Sequence, residues 1–116
     1  MARSREPYFW LLFSGGGMLA ALTLPALALL LFVAMPLGWV AVPSHADLLK
    51  LVSHPLSRVV LFALISLSLF HWAHRFRFTL YDGLQVAHLW GMIALICYGG
   101  AALGSALAGW VLFALP

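Results

Sequence analysis

Charged side chains are scarce in this chain. Of its 116 residues only 8% are charged, six lysines and arginines against three acidic residues, whereas an ordinary soluble domain carries about 25%. So few charges cannot cover the surface of a soluble globule, which excludes that class of protein. With 65% hydrophobic residues and a mean hydropathy of +1.06, the chain is expected to have lipid as the solvent around most of its surface.

Cysteine is nearly absent as well. The single Cys97 excludes a disulfide framework, and it excludes an iron–sulfur cluster held by this chain alone, since a cluster takes about four ligands. Cys97 lies inside an apolar run and is predicted to serve packing. The sequence also lacks a dinucleotide-binding glycine motif and paired carboxylates, so this chain is not expected to bind a flavin or to carry a carboxylate-pair active site.

Three apolar runs predict an all-α integral membrane protein with three transmembrane helices in a single domain, residues 1–116. The runs cover about residues 9–35, 56–76 and 88–113, and each reaches the roughly 20 residues needed to cross about 30 Å of hydrocarbon. The first run is too long for the roughly 7–15-residue apolar core of a signal peptide, so we interpret it as a retained helix. Pro7 suits its first turn, and Pro25 is expected to kink it.

The arginines predict the orientation. The net charge is +3, but the arginines stand in pairs at the ends of apolar runs and form no basic stripe, so no nucleic-acid partner is expected. With three spans the termini lie on opposite sides, and the positive-inside rule places the N-terminus and the second turn in the cytoplasm. The residues on that side are Arg3, Arg5, Arg75 and Arg77, against Lys50 and Arg58 on the other.

Two connections join the spans. The first, from Pro36 to Pro55, is expected to be an exterior loop with one short amphipathic turn at residues 47–52. The second is predicted over residues 78–85, with Asp82-Gly83 as the signal for chain reversal.

Small residues mark two packing faces. In the third span they recur four residues apart, as in Gly100, Gly104 and Ala108 or Ala101, Ser105 and Gly109, which predicts close approach of another helix. In the first span, one helical turn has no side chains because it consists of Gly15, Gly16 and Gly17. That run predicts either close helix packing or room for a flat ligand beside the backbone.

A polar site is predicted at the end of the second span. His71, His74 and Arg75 lie within or close to the apolar run. A charged side chain at the centre of a membrane helix costs roughly 2.5–3.5 kcal/mol on insertion scales. Ionisable residues in such a place therefore usually mark a function or a packed polar contact. A haem needs axial ligands, and a histidine in this helix could supply one of them. No other span of this chain has a histidine at the same depth, so a partner chain would have to supply the second. A quinone needs a hydrogen-bond donor, a proton carrier and flat walls; Arg75, His74 and the rings of Trp10, Phe13 and Trp72 provide these.

One longer motif resembles a known family. The stretch from Glu6 to Met18, followed by Pro25, resembles the opening of the D subunit of fumarate reductase, which reads E-P-x-F-W-x-L-F-x-x-G-G-M and then a proline. The resemblance continues into Pro36-Leu37-Gly38 and into the His74-Arg75 pair with Asp82 downstream. It covers essentially the whole chain.

The resemblance implies a function. In that family two three-helix anchor proteins, the C and D subunits, pair in the bacterial cytoplasmic membrane and anchor a flavoprotein and an iron–sulfur subunit on its cytoplasmic side, in a complex that oxidises menaquinol and reduces fumarate. It implies that Trp10, Phe13, Ser14, His74 and Arg75 match positions at a menaquinol site shared with other subunits. Ser14 stands where a glycine is familiar.

Two alternatives remain open at this stage. His71, followed eleven residues later by Asp82, is similar to a histidine that ligates haem b in the anchors of related succinate dehydrogenases, although the fumarate reductase anchors typically lack haem. The other alternative is a small structural membrane protein without a redox role. Co-purification with a flavin-containing partner distinguishes an anchor from that second class.

Overall fold

The computed structural model describes residues 4–116, all of whose regular elements are helices. Helix α1 covers Glu6–Leu29 and continues as a π-helix over Leu30–Ala34; α2 covers His45–Ser53, α3 covers Pro55–Gly83, and α4 covers Trp90–Ala114 after a 3-10 turn at Ala87–Leu89. Three segments are long and apolar enough to cross a membrane, Glu6–Ala34, Pro55–Gly83 and Ala87–Ala114. The predicted all-α, three-span fold is therefore confirmed, whereas the cytoplasmic N-terminus stays a prediction. Arg3, which entered that prediction, lies outside the described residues.

A proline and a glycine explain where the first span begins and where the chain leaves it. Pro7 lies in the first turn, where a missing N–H removes no helical bond. The helix passes through Pro25 and widens into the π-helix, which the sequence did not predict. Beyond it, Gly38 takes a φ of +74°, and the next amide, of Trp39, donates to the Ala34 carbonyl at 2.9 Å. A positive φ is cheap only for glycine, which explains the stop at this residue.

The first connection holds a longer helix than predicted. Ser44 caps the start of α2. Its hydroxyl oxygen accepts the Asp47 amide at 3.1 Å, while the hydroxyl donates to the Asp47 carboxylate at 2.6 Å. This reciprocal cap satisfies an amide that has no partner within the helix. Helix α3 begins directly afterwards, with His54 Nδ1 accepting the Leu56 amide at 3.2 Å.

The second turn is shorter than predicted, because only residues 84–86 connect α3 to the next element, and the prediction that Asp82-Gly83 reverses the chain is wrong. Helix α3 continues through Asp82 and Gly83, and the Leu84 amide still donates to the Leu80 carbonyl at 3.2 Å. The reversal follows at Gln85, which has a φ of 53°. Tyr81 accounts for the longer helix, because its hydroxyl donates to the Trp90 carbonyl of α4 at 3.0 Å and so ties the last turn of α3 to the next span. A local Asp-Gly signal is weaker than such a tertiary contact.

Helix α4 packs on α3 through the predicted small-residue face. Its buried side chains recur along one stripe, namely Ile93, Cys97, Ala101, Ser105 and Leu112. A Cβ atom at Gly104 would lie 2.9 Å from Leu69 Cδ1, and one at Gly109 would lie 3.2 Å from Phe62 Cε2. Gly100, in contrast, faces open space. The packing role predicted for Cys97 is confirmed, since only 2% of its surface is exposed.

Helix α1 also packs on α3 through glycine, at other residues of α3 than α4 does. A Cβ atom at Gly16 would lie 2.5 Å from the Leu67 carbonyl oxygen, and one at Gly17 would collide with the His71 ring, whereas Gly15 faces open space. Close packing is thus confirmed for two of the three glycines. Because α1 and α4 do not pack on each other within the described chain, α3 is the central helix on which both outer spans depend.

Candidate ligand site between α1 and α3

A cavity of about 370 Å³ lies between the beginning of α1 and the C-terminal part of α3. Its volume falls within the roughly 300–1,000 Å³ that small-molecule sites usually have. The cavity is lined by all five residues that the family resemblance matched to a quinol site, and by three more. Its lining consists of Glu6, Phe9, Trp10, Phe13, Ser14, His71, His74 and Arg75. We call it the α1–α3 cavity.

Helical spacing explains why these residues meet. On α1 the lining residues recur three and four positions apart from Glu6 to Ser14, and on α3 His71, His74 and Arg75 follow the same rule, so each set shares one face. The absence of side chains at Gly16 and Gly17 then lets the two faces approach each other. The glycine run therefore serves helix packing, and the cavity lies just beyond it toward the start of α1.

His71 is held by the backbone of α1. Its Nδ1 lies 2.7 Å from the Phe13 carbonyl oxygen, so the nitrogen must carry the hydrogen and donate, because a carbonyl can only accept. Both ring nitrogens would lie 2.7 Å from a Cβ atom at Gly17. The ring thus fits against the glycine backbone. The sequence left His71 without a definite role, and the structure makes it a cross-helix contact.

His74 links all three spans. Its ring stacks on Phe13 of α1, with 4.4 Å between centroids and an interplanar angle of 11°. Its Nδ1 forms a hydrogen bond of 2.9 Å with the Tyr98 hydroxyl of α4, and Phe78 meets it edge-on at 5.6 Å. Phe13 was predicted as a flat wall for a ligand, but one face of its ring is already occupied by His74. It braces the histidine as well as lining the cavity.

The two arginines of this region have different surroundings. Arg75 is exposed and borders both the α1–α3 cavity and a second cavity of about 260 Å³ that includes Thr79 and Asp82. The Arg77 guanidinium instead lies over the rings of Phe78, at 4.4 Å, and Tyr98, at 5.4 Å. Such cation–π contacts hold a guanidinium against the protein. Arg77 therefore packs inside the bundle end, while Arg75 faces a ligand-sized space.

Trp72 does not belong to the cavity, contrary to the sequence interpretation. It stacks on Phe76, one helical turn away, with 4.9 Å between centroids, and it does not line the α1–α3 cavity. The reason is its angular position on α3, which points away from the face shared by His71, His74 and Arg75.

Three residues of the region were missed by sequence reasoning. Glu6 and Phe9 share the face of α1 that carries Phe13, at helical spacing, so periodicity carries a signal for both. Tyr98 stands inside an apolar run, 24 positions from His74, and nothing local connects the two. Within residues 4–116 no group of three His, Cys, Asp or Glu side chains is placed to hold a metal ion.

Comparison with known proteins gives a consistent result. The family model that describes the D subunit of fumarate reductase matches residues 1–113. The fumarate reductase D subunit of Mycobacterium tuberculosis (strain ATCC 25618 / H37Rv) is 53% identical, over 97% of this chain and 90% of that protein. The protein of the same name from Shewanella putrefaciens (strain CN-32 / ATCC BAA-453) is 37% identical, over 95% of this chain and 92% of that protein. No solved structure matches significantly.

Proposed function

Because the chain belongs to the family of fumarate reductase D subunits, we propose that it anchors the flavoprotein and iron–sulfur subunits of a quinol:fumarate reductase to the bacterial cytoplasmic membrane and forms part of the menaquinol site. The chain is a multi-pass membrane subunit of an oxidoreductase complex. In the proposal it carries no catalytic centre of its own, and a second membrane anchor, the C subunit, pairs with it.

The observation that supports a quinol site is the α1–α3 cavity itself. It combines aromatic walls from α1 with two histidines and an arginine from α3. This mixture of flat apolar surface and a few polar groups suits a quinone head group. Trp10 is 70% exposed and Phe9 is 56% exposed, so this chain by itself leaves the outer side of these walls without protein cover. The second anchor and the iron–sulfur subunit provide that cover in the proposed complex.

Each side chain then has a specific task. Arg75 donates a hydrogen bond to one oxygen of the quinol, and its charge favours the anionic form that arises as the quinol loses a proton. His74 accepts the protons one after the other and returns them to water at the cavity mouth. The two electrons leave through the iron–sulfur subunit toward fumarate. Phe9 and Trp10 hold the flat ring and exclude water from it.

We propose that this site works without haem. The residue that suits haem best by sequence is His71, but its Nδ1 donates to the Phe13 carbonyl, and Nε2 lies beside Gly17 of α1. An iron atom on Nε2 would place a porphyrin plane where the α1 backbone runs. A visible spectrum of the purified complex tests this point, since a reduced b-type band would contradict it.

The tryptophans support the proposed membrane placement. Trp10 and Trp90 lie at one end of the three spans, and Trp39 and Trp110 lie at the other. Tryptophan prefers both membrane interfaces. The end with Trp10 also carries Arg5, Arg75 and Arg77, so the positive-inside rule assigns it to the cytoplasm, where the soluble subunits are expected to dock.

The proposal is tested by separating quinol oxidation from fumarate reduction. In the purified complex, Trp10→Ala and Arg75→Leu are expected to lower menaquinol-driven fumarate reduction at least tenfold, and to leave fumarate reduction by a reduced viologen unchanged. Trp110→Ala is a matched control, because Trp110 is 75% exposed at the opposite end of the bundle. If both site variants retained full quinol-driven activity, the site assignment would fail and a purely structural role would remain.

A further inference from the structure

Tyr98 is a polar side chain that the proposed site does not use directly. It lies in the third span, does not line the α1–α3 cavity, and bonds through its hydroxyl to His74 Nδ1 at 2.9 Å. The Arg77 guanidinium lies over its ring, 5.4 Å from the ring centroid. A tyrosine fixed in this way acts on the cavity only through the histidine.

We propose that Tyr98 is a positioning residue, whose hydroxyl oxygen accepts the Nδ1 hydrogen of His74 and thereby presents an unprotonated Nε2 to the α1–α3 cavity. A neutral imidazole carries its hydrogen on one nitrogen, and a tyrosine hydroxyl can either accept from Nδ1 or donate to it. The proposal is the first of these two arrangements, in which Nδ1 carries the hydrogen. With Nδ1 committed to Tyr98, Nε2 is the nitrogen left to accept a proton from a quinol. This inference rests on the proposed function.

The packing around His74 supports a single ring orientation. Phe13 stacks on one face at 4.4 Å and Phe78 meets the ring edge-on at 5.6 Å, so the imidazole cannot turn freely. The Tyr98 hydroxyl then selects between the two remaining orientations, which differ by a flip of the ring. Removal of the hydroxyl is expected to leave the ring stacked but its nitrogens unspecified.

Charged and titratable groups from every helix packed around this ring lie near it or line the cavity that it borders. On α1 there is a carboxylate, on α3 a second histidine and two arginines, and on α4 the tyrosine itself. These groups are Glu6, His71, Arg75, Arg77 and Tyr98. Only the last of them forms a hydrogen bond with His74 in the described chain. Removal of the Tyr98 hydroxyl leaves all these charges in place. A change in the pH dependence of quinol oxidation after that removal therefore reports on the bond between Tyr98 and His74.

The test compares two tyrosine-to-phenylalanine variants in the assembled complex. Tyr98→Phe removes the hydroxyl that bonds His74, whereas Tyr81→Phe removes a hydroxyl that also joins α3 to α4 but bonds the Trp90 carbonyl. Menaquinol oxidation is measured across pH, with separate kcat and KM values, and is normalised to viologen-driven fumarate reduction.

For Tyr98→Phe we expect a lower kcat, by about three- to tenfold, with little change in KM. The acid limb of the pH profile is expected to move to lower pH by about 0.5–1 unit, because the protonated ring loses a charge-assisted hydrogen bond. Tyr81→Phe is expected to match the unmodified complex in both respects.

Three results would overturn the inference. They are an unchanged kcat and pH profile in Tyr98→Phe, the same shift in Tyr81→Phe, or loss of the partner subunits from Tyr98→Phe, which would assign Tyr98 to packing. Arg75→Leu separates this failure from failure of the proposed function. If Arg75→Leu abolishes quinol oxidation while Tyr98→Phe is normal, the site stands and the positioning role falls; if Arg75→Leu is fully active, the site itself is wrong.

Discussion

Replacement of Gly16 with alanine is expected to push α1 away from α3 and so to disturb the α1–α3 cavity. The added Cβ atom would lie 2.5 Å from the Leu67 carbonyl oxygen. This oxygen belongs to the backbone of α3, so no side-chain rotation can relieve the overlap, and ordinary van der Waals contact requires the helices to separate by about 1 Å. Overpacking of this kind costs roughly 1–3 kcal/mol.

Gly15→Ala is the matched control for this prediction. A Cβ atom at Gly15 meets nothing within 4 Å, so this variant receives only the gain in helix propensity, about 0.5–1 kcal/mol. Because Gly16→Ala receives the same gain, the difference between the two variants isolates the overlap and is expected to be about 1–3 kcal/mol.

The assay is thermal release of this protein from the detergent-solubilised complex, together with menaquinol oxidation. Gly16→Ala is expected to be released at a lower temperature than Gly15→Ala and to oxidise menaquinol more slowly, because Trp10 and Phe13 are carried on the displaced helix. Equal release temperatures and equal activities for the two variants would show that α1 and α3 do not approach as closely as the structure has them, and would refute the reasoning.

Three further predictions concern other parts of the chain. Gly17→Val is expected to displace the His71 ring and to lower stability by roughly 1–3 kcal/mol, measured by the same thermal release; an unchanged release temperature would contradict the packing of that ring. Ser44→Ala removes the cap of α2 and is expected to cost about 1 kcal/mol without affecting quinol oxidation, and a loss of that activity would contradict it. In a Cys97→Ser background, an impermeant maleimide added to intact cells is expected to label Ser44→Cys and not Gln85→Cys, and the reverse pattern would invert the topology.

The number of spans was predictable because it depends on composition. An apolar run longer than the bilayer is thick has one stable location, whatever its neighbours are. The packing face of α4 was predictable for a related reason, since small residues four apart form a groove on any helix. The structure buries Ala101 and Ser105 in that groove, against α3.

The end of α3 was not predictable. Asp82-Gly83 resembles a turn within its own neighbourhood, but the helix continues because Tyr81 bonds the Trp90 carbonyl of α4. Trp72 was assigned to the ligand site for a comparable reason, since its closeness in sequence to His71 and His74 hid its position on another face of the helix. No local pattern contains the contact between Tyr81 and α4, whereas helical spacing alone is enough to place Trp72 away from the face of His71, His74 and Arg75.

The candidate site also has residues that were predictable from the sequence and a contact that was not. Trp10, Phe13, Ser14, His74 and Arg75 were identified from residue chemistry and family resemblance, and the structure places them around one cavity, although their binding of a quinol stays a prediction. The bond between His74 and Tyr98 had no signal in the sequence.

The sequence by itself determined that this is a membrane protein, that it crosses the membrane three times, and which polar residues lie near the ends of the spans. These properties follow from the free energy of transferring side chains between water and hydrocarbon. The tertiary structure alone decided which of those residues meet. Gly16 and Gly17 set the distance between α1 and α3. That short distance brings the Phe13 carbonyl to His71 and the Phe13 ring to His74. It depends on steric contacts between segments that are far apart in the chain, so no local pattern contains it.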